Sequence, residues 1–127
     1  MNNDFNEEKP IFLQIALLLE NGILSGAYPE ETQIPSITEF SVEYKINPAT
    51  ALKGVNILVD RGLLYKKRGL GMFVAKDARA SLVKSRKDGF YAELIRPVVK
   101  EAKSLGVTVE ELLEMMKRGF AEDVDRD

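Results

Sequence analysis

The sequence predicts a mainly α-helical chain with one small β-hairpin, in two parts: an N-terminal unit over residues 1–76 and a helical region over residues 77–127. Three observations predict this. Segments opening at Pro10, Pro35 and Asn47 repeat apolar residues at helical spacing. Two β-prone runs flank the glycine-bearing stretch KKRGLG, from Lys66 to Gly71. Beyond Ser85 two further helical patterns occupy too short a stretch to close a core of their own.

The first helix follows Pro10, a residue suited to a first helical turn, and ends at Gly26, suited to a helix stop. Phe12, Ile15, Ala16, Leu19 and Ile23 form its expected buried face, a core role. A loop follows, in which Gln33 and Ile34 are expected to form a very short strand. The second helix begins near Pro35, where Ser36 and Glu39 have the spacing of a capping box. Phe40, Val42 and Tyr44 are its expected apolar contacts, with Phe40 the main anchor.

Lys45 and Ile46 then turn the chain into a third helix, from Asn47 to Arg61. Asn47 can accept a hydrogen bond from first-turn amides, and Pro48 gives up no useful donor. Ala51, Val55, Leu58 and Val59 mark the buried stripe, and Gly62 fits a left-handed stop. The opposite face opens with Ala49, Thr50, Leu52 and Lys53 and carries no acid before Asp60. Amides, a hydroxyl and a lysine at the start of a helix suit a DNA major groove.

After Gly62, the runs around Leu64 and Phe73 read as two strands, with a basic turn from Lys66 to Gly71 between them. A glycine-rich phosphate loop would require a helix start and a lysine–serine pair after the glycines, and neither is present. Two helices joined by so few residues make a helix-turn-helix, although an ordinary helical hairpin has the same spacing. A basic hairpin directly behind it has the form of a wing that reaches backbone or minor groove. The predicted architecture is therefore an N-terminal winged helix-turn-helix followed by a short α-helical region.

Lys76 to Ser85 reads as a connecting helix or linker. Phe90, Leu94, Pro97, Val98 and Ala102 mark the next helix, with a kink expected at Pro97. Thr108 and Glu111 form a second capping box ahead of Leu112, Leu113, Met115, Met116 and Phe120. Phe90, Tyr91, Leu94, Ile95, Leu112, Leu113, Met116 and Phe120 are more large apolar groups than a tail should expose, and pairing with a second copy through Phe90, Leu94, Val98, Leu112, Leu113, Met116 and Phe120 would cover them. Folding back onto the first unit is the alternative.

Composition limits the chemistry. The 127 residues are 45% hydrophobic and 30% charged, with no cysteine and no histidine. Disulfides, thiolate and imidazole catalysis and the common zinc sites are thereby excluded, and no catalytic constellation, metal set or cofactor motif stands out. No apolar run is long enough to span a bilayer and the first residues lack the shape of a signal peptide, so the expected location is the cytoplasm with no membrane partner. The net charge is −2, yet Lys45, Lys53, Arg61, Lys66, Lys67 and Arg68 face only Asp60 within their window. Such a local basic patch is compatible with double-stranded DNA.

With these motifs in place, the chain resembles the GntR family of bacterial transcriptional regulators. The likeness rests on a proline–serine pair at Pro35 and Ser36, on INPAT at residues 46–50, and on RGLGMF at residues 68–73, in the family's order and spacing. The short helical C-terminus resembles the YtrA subfamily, which implies that it is a dimerisation element. By analogy with that subfamily, the regulated genes would encode a neighbouring ATP-driven transporter.

The resemblance implies that Ser36 caps the second helix and touches a phosphate. It puts Asn47, Ala49, Thr50 and Lys53 on the recognition face and Arg68, Gly69, Leu70 and Gly71 in the wing. Thr38, Lys45 and Lys67 complete the expected contact set. At Thr38 and Lys53 the family usually carries arginine, whose planar fork differs from a hydroxyl or a point charge. The expected function is a sequence-specific, dimeric DNA-binding regulator, more often a repressor, on a pseudo-palindromic operator. A winged-helix protein-interaction module with an acidic partner is the alternative, and a small-molecule effector stays open as a further partner.

Overall fold

The computed structural model describes residues 9–122; the polar stretches expected at both ends fall largely outside that range. The chain divides into two compact units, one running to Ser85 and one starting at Arg86.

In the first unit, α1 spans Ile11–Ser25 and buries Ile15, Ala16, Leu19 and Ile23. Pro10 stands one step earlier than expected, as the N-cap, and Gly26 ends the helix at φ 88° with its N–H on the Ile23 carbonyl. Phe12 departs from the expected stripe and is only half-buried. The helix α2, Ile37–Tyr44, starts on the expected capping box: Ser36 accepts from the Glu39 amide, and the Glu39 carboxylate accepts from the Ser36 amide. Those bonds hold the Glu39 carboxyl below its ordinary value. Phe40 is fully buried and stacks on Tyr44 with centroids 5.0 Å apart. Val42, expected to make apolar contact, is 73% exposed, because eight residues give α2 one buried stripe and Phe40, Ser41 and Tyr44 fill it.

The helix α3 spans Pro48–Asp60, with the Asn47 side chain accepting from the Ala49 amide at 2.7 Å. Ala51, Gly54, Val55 and Leu58 are its buried residues. At Gly54 α1 comes close: a Cβ there would lie 2.8 Å from the Phe12 carbonyl oxygen and 2.8 Å from Ile15 Cγ2. Strands β1, Leu64–Lys67, and β2, Gly71–Val74, pair antiparallel with Leu64 opposite Val74 and Lys67 opposite Gly71. The loop after α1 runs along the outer edge of β2, where Glu31 and Ile34 donate to the Val74 and Met72 carbonyls and Gln33 bridges to Phe73. The expected short strand at Gln33 and Ile34 is thus a single bridge.

The helix α4, Ala78–Phe90, begins inside the first unit. Ala78 and Leu82 are buried in its core, and Arg79 donates to the Leu24 carbonyl at 3.0 Å. The first unit therefore extends past Lys76, where the sequence placed its end, since an α4 with two buried anchors belongs to the core that it fills.

In the second unit a π-helical turn, Tyr91–Ile95, leads into α5, Arg96–Leu105, and α6 spans Val109–Ala121. Pro97 lies in the first turn of α5, and the Arg96 amide reaches back to the Tyr91 carbonyl. Where the sequence predicts a kink at Pro97, the chain stays helical and carries this widened turn just before the proline, in whose first-turn position no N–H is required. Gly106 ends α5 at φ 72°, and the Thr108–Glu111 capping box opens α6 as expected.

Candidate nucleic-acid interface

On α3, burial of Ala51, Gly54, Val55 and Leu58 turns Ala49, Lys53, Asn56 and Asp60 to the opposite side, each three or four residues from the next. Leu52 stands beside them, 41% exposed. One of the residues expected on this face is engaged elsewhere, and a second is set to its flank. Asn47 spends its side-chain oxygen on the helix cap, and Thr50 is half-buried at the flank. Asn56 is an addition to the expected face. The basic first half of the helix hid it, although its spacing from Ala49 and Lys53 was a usable signal. Asparagine offers the donor–acceptor pair that fits an adenine edge.

The helix-turn-helix contributes three more exposed groups. Ser36 keeps a hydroxyl hydrogen to donate after accepting at the cap, and Thr38 lies exposed in the first turn of α2. Lys45 is exposed in the turn at φ 55°, a left-handed conformation that costs a lysine about 1 kcal/mol. Arg61 leaves the basic patch that the sequence assigned it to. Its guanidinium pairs with Glu20 at 3.0 Å, so it braces α3 against α1.

The wing is tighter than expected. Lys66 and Lys67 belong to β1, opposite Met72 and Gly71, and the turn is only Arg68, Gly69 and Leu70. Gly69 at φ 80° and Gly71 at φ 130° supply the backbone that closes it. The Gln33 amide donates to the Leu70 carbonyl, and a Cβ on Gly71 would sit 2.6 Å from Gln33 Nε2. The Lys67 ammonium rests over the Phe73 ring, 4.2 Å from its centroid. Tyr65 donates its hydroxyl to Glu31, and its pKa is raised by desolvation first and then by that bond.

No protein-family model matches the chain. It is 33% identical over 117 residues to the HTH-type transcriptional regulator YhcF of Bacillus subtilis, covering 92% of this chain and 95% of that protein. A solved GntR-family putative transcriptional regulator from Bacteroides thetaiotaomicron shares 34% identity and a TM-score of 0.69, over 87% of this chain and 96% of the other. The chain belongs to the GntR family of transcriptional regulators. The HTH-type transcriptional repressor YtrA of Bacillus subtilis is 26% identical over 114 residues, 90% of this chain and 87% of that one, which fits a YtrA-like member. The DNA-binding domain of AraR, solved in complex with operator ORR3, has a TM-score of 0.52 and 28% identity over 59% of this chain and 88% of its own.

The second unit of this GntR-family chain carries much exposed apolar surface. Phe120 is 93% exposed; Phe90, Leu94, Val98, Leu113 and Met116 are exposed, and Leu112 is half-buried. Val99, Leu105, Val109 and Met115 are exposed as well and were not in the expected set. Between α5 and α6 lies an apolar cleft of about 290 Å³, lined by Ile95, Val99, Leu112 and Met116 among others. Among the described residues, no helix is long and apolar enough to cross a membrane.

Proposed function

We propose that this GntR-family regulator is a sequence-specific, dimeric DNA-binding repressor acting in the cytoplasm. The helix α3 enters the major groove, and the wing lies on backbone or minor groove. The first unit binds DNA and the second holds two copies together. The observation that carries this reading is the outward face of α3, where Ala49, small enough for close approach, leads to Lys53 and Asn56. Lys45, Arg68, Ser36 and Thr38 flank it as phosphate contacts. The AraR operator complex supports the DNA partner, and the YtrA name supports repression.

Selection of duplexes from a random pool, followed by footprinting on the chain's own promoter, tests the reading. Lys53→Ala is expected to weaken the selected duplex by about 1–3 kcal/mol, the worth of a contact to a base edge. Unchanged affinity at fixed salt would remove Lys53 from the interface. Lys67→Ala with Arg68→Ala should weaken selected and random duplexes by similar factors. The slope of log affinity against log salt should become shallower by about one for each phosphate that is no longer neutralised. A drop confined to the selected duplex would make the wing a base reader. Binding to random duplex that ignores salt would favour a protein-interaction module with an acidic partner.

A further inference from the structure

We infer that Phe12 of α1 is a positioning residue for DNA recognition: its ring holds the Lys53 ammonium on the outward face of α3. This inference rests on the DNA-binding reading and deepens it, because it takes part of the recognition machinery outside the helix-turn-helix.

The Lys53 ammonium stands 4.0 Å from the centroid of the Phe12 ring, well inside the range of a cation–π contact. Phe12 occupies a core-spaced position on α1, one turn before Ile15, yet it is half-buried and lies outside the buried core cluster. The reason it reaches Lys53 is local. Gly54 lets the backbone of α1 approach α3 at Phe12 itself, so that the ring comes to rest beside the residue preceding Gly54. Phe12, Ala49, Leu52, Lys53, Asn56 and Asp60 then border one open groove on the face turned away from the core.

The choice of an aromatic partner matters to function. A carboxylate at this place would fix the lysine but would neutralise its charge and take its N–H donors. A ring face attracts the ammonium electrostatically and leaves its charge in place, so the donors on the side away from the ring stay available to a base edge or phosphate. The lysine thereby gives up part of its rotamer freedom before DNA arrives, and binding no longer has to impose that order. Lysine is otherwise a point charge on a flexible stem, and the ring fixes where that charge sits.

The test uses the full chain and a duplex that it enriches from a random pool. Phe12→Leu should weaken that duplex about two- to fivefold, the range of an exposed cation–π contact. Phe12→Tyr should restore binding, since the ring remains. In a Lys53→Ala background, Phe12→Leu should add no further loss. In the DNA-free protein, the Lys53 ε-protons should show an upfield ring-current shift that Phe12→Leu abolishes, a signature that a purely structural role for Phe12 would not produce. Equal losses in both backgrounds, or wild-type affinity in Phe12→Leu, would overturn the inference and leave DNA binding standing. Failure of the wild-type chain to enrich any duplex would overturn the DNA-binding reading and this inference together.

Discussion

A chain ended after Ser85 is expected to remain folded and to lose about 10²–10⁴-fold in affinity for a two-half-site operator. The core of the first unit is complete by Leu82, which is 1% exposed, and the unit ends at Ser85. The residues removed carry Phe90, Leu94, Val98, Leu113, Met116 and Phe120 on their exposed surface. Burying one such side chain against a second copy stabilises by about 1.5–3 kcal/mol, so a few per protomer suffice to hold a dimer. In a dimer the second helix-turn-helix meets its half-site at high effective concentration; without the tail each unit binds alone. Affinity for a single half-site should therefore hardly change. A chain ended after Lys76 should behave worse, because it also loses Ala78 and Leu82, which are 2% and 1% exposed. Sedimentation of the three chains, beside titration of one- and two-half-site duplexes, measures each point. An intact chain that sediments as a monomer at micromolar concentration would refute the dimer and with it the cooperative gain.

What the sequence revealed most fully was whatever depends on near neighbours. The caps at Ser36, Asn47 and Thr108 were legible because a cap is made by a side chain and an amide two or three residues away. Gly69 and Gly71 announced the hairpin because few other residues adopt its backbone. Lys66 and Lys67 were misplaced in the turn because charge usually marks loops, whereas an exposed two-stranded ribbon accepts charged residues to its last pair. Contacts made across long stretches of chain could not be read. The Arg61–Glu20 pair, the Lys53–Phe12 contact and the Gln33 brace on Leu70 each join residues dozens of positions apart. The anchoring role of α4 was hidden for a related reason. Its burial rests on Ala78 and Leu82 alone, too few apolar positions to show a period.

Gly54→Val is expected to destabilise the first unit by about 3 kcal/mol, near the upper end for overpacking a tight core. For a unit of this size that lowers the melting temperature by roughly 12–24 °C. A glycine in mid-helix costs about 1 kcal/mol relative to alanine, so its presence at Gly54 requires a compensating gain. That gain is the approach of α1, and a Cβ would meet the Phe12 carbonyl oxygen and Ile15 Cγ2 at 2.8 Å and Ile15 Cβ at 2.9 Å. None of these atoms is the tip of a flexible side chain: one is backbone, and Ile15 is fully buried. The helices must separate to admit any side chain, and Phe40, Leu19 and Leu58 lose packing with them. Gly54→Ala should cost less, because its helix propensity offsets about 1 kcal/mol of the clash. Gly119 in α6 provides the control, since a Cβ there meets nothing within 4 Å and Gly119→Ala should be neutral to stabilising by up to about 1 kcal/mol. Thermal unfolding of the three variants gives the order. If Gly54→Val melts with the wild type, α1 can retreat freely, and the close approach that brings Phe12 to Lys53 is not enforced by the core.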